Sequence, residues 1–99
     1  MIYKIKFTSK FKKDLKLAKK QNRDIEKLMD VIEKLANDEK LDEKYKDHLL
    51  KGKYYSTREC HIEPDFLLIY EKFNDVMVLS LLRLGTHSDL FKPPCKWVF

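Results

Sequence analysis

Apolar and polar positions change period three times along this chain, and each change marks an element. From Ile2 to Phe7, side chains alternate, with Ile2, Lys4 and Lys6 set against Tyr3, Ile5 and Phe7, the pattern of a half-buried strand. Thr8-Ser9 then supplies an N-cap, and Phe11, Leu15 and Ala18 recur on one face of a helix running to about Lys20. Gln21-Asn22 interrupts it. Ile25, Leu28, Met29, Ile32, Leu35 and Ala36 keep the helical period through a second helix from about Arg23 to Asn37. The short break makes the two an antiparallel hairpin. Asp38 to Lys46 is a charged connector without period.

Beyond Gly52 the pattern becomes that of strands. Tyr54 to Ile62 forms one, and Pro64-Asp65 turns out of it. Phe66-Leu67-Leu68-Ile69-Tyr70 is a short, continuous apolar run, which predicts a strand buried on both faces. Asn74-Asp75 marks a hairpin turn, Val76 to Leu84 a further strand ending at Gly85, and Thr86 to Phe91 one helical turn. The order predicts an α+β fold. An N-terminal strand and a two-helix antiparallel hairpin precede an antiparallel-dominated sheet of about four strands, with a short C-terminal helical turn. Residues 1–91 form a single domain in this reading, and residues 92–99 a tail.

Charge sharpens the picture. Of 99 residues, 37% are charged and 43% hydrophobic, a balance compatible with a packed globule. Residues 1–23 hold nine Lys or Arg against the one acid Asp14, a net +8, whereas the remainder is net −3. A basic block of this kind suits a phosphate backbone. Lys12, Lys13 and Lys16 on the first helix are the candidate RNA contacts. No apolar run reaches the ~20 residues of a membrane helix, so no membrane association is expected. The N-terminus lacks a signal-peptide layout, so the expected location is cytoplasmic. Cys60 and Cys95 have no disulfide or zinc spacing and read as thiols.

All three histidines, His48, His61 and His87, lie in the second half of the chain. His61 ends one strand and Asp65 begins the next across a tight turn. Arg83 ends the last strand and His87 opens the turn after it. Antiparallel pairing of the last two strands returns Arg83 towards the Asp65 end, and His48 sits on the connector leading into the sheet. Imidazoles, a carboxylate and a permanent cation at one edge are the ingredients of a metal-free acid–base site for cutting RNA.

The blocks Lys46-Asp47-His48-Leu49-Leu50-Lys51-Gly52, Arg58 to Tyr70 and Leu82 to Phe91 carry a resemblance. Together they resemble the YafQ-type toxins of the RelE/ParE superfamily, over roughly Tyr3 to Phe91. The resemblance implies a bacterial mRNA interferase that enters the ribosomal A site, cuts the message there and is held inactive by a cognate antitoxin. It makes His48, His61, Asp65, Arg83 and His87 the active-site set, with Phe91 on the substrate base. Phe66 is a second substrate contact, standing where close relatives can have Trp. RNA chemistry then assigns His87 as general acid and Arg83 as the phosphate clamp. The base is Asp65 or His48, with His61 orienting or sharing protons. No metal or cofactor is called for, because the 2′-OH nucleophile belongs to the substrate. Readings of other classes are a gyrase poison of the same superfamily, a non-catalytic RNA-binding module and a stand-alone nuclease. The missing export signal and disulfides argue against the last.

Overall fold

The computed structural model describes residues 2–50 and 57–90. Its elements are β1 (Lys4–Phe7), α1 (Ser9–Lys20), α2 (Ile25–Ala36), a 3₁₀ turn (Glu43–Tyr45), β2 (His48–Leu49), β3 (Arg58–Glu63), β4 (Phe66–Phe73), β5 (Val78–Gly85) and α3 (His87–Leu90). The five strands form one sheet in the order β1-β5-β4-β3-β2. β1 runs parallel to β5, and the other neighbours are antiparallel. The parallel pair sets the first strand beside the last.

Both long helices start at a side-chain cap. The Thr8 side chain accepts from Phe11 N–H, and the Asp24 side chain from Lys27 N–H, each satisfying a donor that the helix itself leaves open. The helices bury their apolar faces on one side of the sheet. That core holds Phe11, Leu28, Val31, Ile32 and Leu35 from the helices against Cys60, Ile62, Phe66, Leu68, Tyr70, Leu79 and Leu81 from the sheet. A smaller cluster of Leu50, Leu67, Ile69 and Leu90 occupies the opposite face. The apolar run of β4 is therefore buried on both sides, alternate residues serving different cores. Cys60 faces the helices; burial pushes its thiol up, so it stays protonated and inert.

Several expectations need correction. The sheet has five strands, because His48–Leu49 pairs with Glu59 and Arg58 of β3 as a short edge strand instead of remaining connector. Such a strand has too few residues for a periodic signal. The connector is anchored as well: Leu41 and Tyr45 are buried in the main core. On α2, Val31 is buried whereas Met29 is 40% exposed. β4 continues to Phe73, and Val76 and Met77 belong to the turn before β5, with Met77 at φ 53°. Of the expected strand from Tyr54, the part before Thr57 lies outside the described residues, as do Phe91, Cys95 and the tail.

Phe11 is fully buried beneath the sheet, and Lys12 beside it is exposed. Phe11→Ala is expected to lower unfolding stability by about 3–5 kcal/mol in urea titrations. Lys12→Ala should stay within about 0.5 kcal/mol of the parent.

Candidate active site

Strand geometry puts Glu59 and His61 on the same face of β3, two residues apart, with Cys60 and Ile62 turned towards the helices. Glu59 lies opposite His48 of β2 and Ile69 of β4, and His61 opposite Leu67. The side chains converge accordingly. His61 Nε2 is 3.2 Å and His48 Nε2 3.6 Å from Glu59 Oε1. Glu59 is 2% exposed, and its Oε2 atom is buried without a hydrogen-bond partner. A buried carboxylate of this kind is costly unless cations or N–H donors face it.

His87 opens α3, just past the end of β5. Its backbone N–H donates to Asp65 Oδ1 at 3.2 Å, and its Nδ1–H donates to the same oxygen at 3.3 Å. The His61 and His87 ring centroids are 5.8 Å apart, and those of His48 and His61 6.2 Å. The three imidazoles therefore form a row across β2, β3 and α3. One carboxylate backs its first two members and another its last.

His48 is fixed from behind. Its Nδ1 donates to the carbonyl of Lys46 at 2.6 Å, and Lys46 sits in the left-handed region at φ 48°. The preceding residue, Asp47, accepts from Arg58 Nε at 3.1 Å and from the Tyr70 hydroxyl at 2.5 Å. Arg58 and Tyr70 are direct neighbours across β3 and β4. Burial and the nearby Asp47 push the Tyr70 phenol up, so it remains a donor. This latch holds the two-residue strand against the sheet.

Arg83 stands on β5, two residues before Gly85. It lies opposite Ile69 on β4, and its Nε and Nη2 donate to Asp14 of α1 at 2.8 and 3.4 Å. Asp14 also accepts from Leu84 N–H at 2.9 Å. The one acid of the basic block thus ties α1 to β5 beyond the end of β1. A guanidinium has five N–H donors, and Asp14 uses two. Lys12, Lys13 and Lys16 are exposed on the same helix. The expectation of Phe66 as a stacking surface does not hold. It is 1% exposed in the main core, with the Arg23 guanidinium 5.3 Å above its ring.

Sequence reasoning missed Glu59, Asp47 and Asp14. A signal for Glu59 existed, because alternation with Cys60 and Ile62 puts it on the face of His61. Asp14 and Asp47 gave none, since their partners are distant along the chain.

Known proteins share this fold. Residues 3–92 match the model of a family described as the YafQ bacterial toxin of type II toxin–antitoxin systems. The chain belongs to this family. The mRNA interferase toxin YafQ of Escherichia coli K12 is 41% identical over 88 residues, covering 88% of this chain and 94% of that protein. The crystal structure of the E. coli DinJ–YafQ complex aligns with a TM-score of 0.83 at 38% identity, over 90% of this chain and 98% of the other. A metal-bound toxin from Helicobacter pylori aligns at 0.85 with 45% identity, over 92% and 100%. Among the described residues here, no group of three or more His, Cys, Asp or Glu side chains is arranged to hold a metal ion. No helix among them is long and apolar enough to cross a membrane.

The backbone N–H of His87 is the main cause that holds the Asp65 carboxyl below its ordinary value, and the His87 ring and Arg23 add to it. The charged carboxylate anchors α3 fully above the ordinary range near ~3.9, and the anchoring is lost as pH falls through the lowered value. In a carboxyl NMR titration, Asp65 should titrate below its usual range. It should stay below that range in His87→Ala, which retains the backbone N–H.

Proposed function

We propose that the chain is an endoribonuclease that cuts messenger RNA on the ribosome by internal attack of a ribose 2′-OH, arresting translation until a cognate antitoxin binds it. One observation carries the reading: two carboxylate-backed imidazoles, Glu59–His61 and Asp65–His87, stand side by side with ring centroids 5.8 Å apart. Cleavage needs a base for the 2′-OH proton and an acid for the departing 5′-oxygen, both within reach of one phosphodiester.

The carboxylate contacts divide the labour. Nε2 is the His61 nitrogen nearer the Glu59 carboxylate, 3.2 Å from Oε1, so Nδ1 is left for the 2′-OH proton, and His61 serves as the base. Asp65 accepts from His87 Nδ1–H, so the proton delivered to the 5′-oxygen is the one on Nε2. Asp65, held low by its His87 contacts, is an orienting carboxylate and not the base. His48 Nδ1 donates to the Lys46 carbonyl, and its Nε2 stands 3.6 Å from Glu59. The Arg83 guanidinium held by Asp14 contributes positive charge to the phosphorane. The 2′-oxygen bonds to phosphorus as the 5′-oxygen leaves, which gives a 2′,3′-cyclic phosphate and a 5′-hydroxyl.

The row of histidines is open, with His48 and His87 exposed, so the message needs an outside framework to be held in line. The ribosome supplies it, and the exposed lysines Lys12, Lys13 and Lys16 face ribosomal RNA. The E. coli relative is solved with DinJ; an acidic antitoxin drawn by the N-terminal basic block fills the same role here. These events belong to the cytoplasm.

Mapping of message ends on ribosomes tests the reading. Wild-type protein should cut ribosome-bound message and leave free RNA largely intact. His87→Ala should stay folded by circular dichroism and lose ~10²–10⁴-fold in rate. Glu59→Gln, which keeps the shape and removes the charge, should lose less. Equal cutting of free and bound RNA would contradict the ribosome dependence. Wild-type cutting by folded His87→Ala would contradict the mechanism.

A further inference from the structure

One cavity beside the histidine row is used by none of these roles. It encloses about 320 Å³ and is bounded by His61 and Pro64 on one side and by Lys27, Lys44, Tyr45 and Lys46 on the other. Lys27 comes from the first turn of α2, and Lys44 to Lys46 from the 3₁₀ turn and its cap. Tyr45 is buried in the main core, so the wall it forms is fixed. The Lys27 ammonium stands 5.9 Å and the Lys44 ammonium 5.2 Å from the centre of its ring. Both lie within cation–π range. Two long, otherwise mobile side chains are thereby gathered over one rigid ring. Glu63 is the single acid on the rim, so three ammoniums leave the cavity net positive.

We infer that this cavity is a nucleotide subsite, which takes the RNA residue next to the scissile phosphate and holds that residue's own phosphate between Lys27 and Lys44. The inference rests on the endoribonuclease reading and deepens it. Size, charge and position carry it together. A volume near the lower end of small-ligand pockets suits one nucleotide and not a duplex or a folded peptide. Ammoniums gathered over an aromatic ring match the backbone charge of single-stranded RNA. His61 belongs both to the cavity wall and to the catalytic row, so a strand seated here continues directly onto the base. The Lys12, Lys13 and Lys16 face of α1 supplies long-range attraction, whereas this subsite sets which linkage reaches His61.

The test uses uncleavable 2′-O-methyl RNA, which lacks the nucleophile, as a dinucleotide with one phosphate and a trinucleotide with two. Binding is followed by NMR on the intact chain. In the wild type, the trinucleotide should shift Tyr45 as well as His61, and bind more tightly than the dinucleotide. Lys27→Ala/Lys44→Ala should cost about tenfold in trinucleotide affinity and lower its log–log salt slope by about 0.7 for each phosphate that the variant leaves unneutralised. Lys27→Arg/Lys44→Arg should restore both, and Lys34→Ala, two turns further along α2, should match the wild type. Unchanged affinity and slope in the double alanine variant, or His61 shifts without Tyr45 shifts in the wild type, would overturn the subsite alone. Absence of any His61, His87 or Tyr45 shift in the wild type would overturn the subsite as well, whereas the endoribonuclease reading fails separately, if the wild type does not cut ribosome-bound message.

Discussion

A carboxylate buried under two imidazoles is the constraint around which the site is arranged. Glu59 sits on β3 with 2% of its surface exposed, and one of its oxygens faces no donor. Taking such a charge out of water costs several kcal/mol unless partners offset it, and removing a partner of a buried pair typically costs ~3–5 kcal/mol. His61 and His48 are those partners. Each imidazole therefore compensates Glu59, and in the proposed function each also meets the substrate.

The fold serves this arrangement by keeping its two faces distinct. α1 and α2 cover one face and bury Cys60 and Ile62; Glu59 and His61 emerge on the other beside Leu67 and Ile69. β2 is only two residues long, and its Asp47 latch to Arg58 and Tyr70 supplies the fixation that a longer ladder would otherwise give. At the far edge, Asp14 draws α1 onto β5 through Arg83 and Leu84. The helix carrying much of the N-terminal positive charge is thus docked on the strand that leads to His87.

Much of this is legible in the pattern of residues, for physical reasons that differ by element. The amphipathic period of α2 and the alternation in β1 are local, as is the cap Thr8, so those elements lie within a few residues of their expected limits. The doubly buried run of β4 follows from unbroken apolar character. His61, Asp65 and His87 can be brought to one edge because turns adjoin each of them. Glu59 stays hidden beside Arg58, where an adjacent charge pair reads as solvated surface. β2 and the Asp14–Arg83 tie exist only through partners nine to sixty-nine positions away. Phe66 is a substrate contact by resemblance alone, while the burial of β4 turns its ring into the core.

The central claim is that His61 and His87 divide base and acid between them. It is tested most directly with a message in which sulfur replaces the 5′-bridging oxygen at the cleaved linkage. A thiolate leaves without a proton, so an acid becomes dispensable while the base does not. Cleavage of this message by His87→Ala should return close to the wild-type rate, and cleavage by His61→Ala should remain as impaired as on the oxygen substrate. Rescue of His61→Ala, or continued failure of His87→Ala on the sulfur substrate, would contradict the assignment of acid and base.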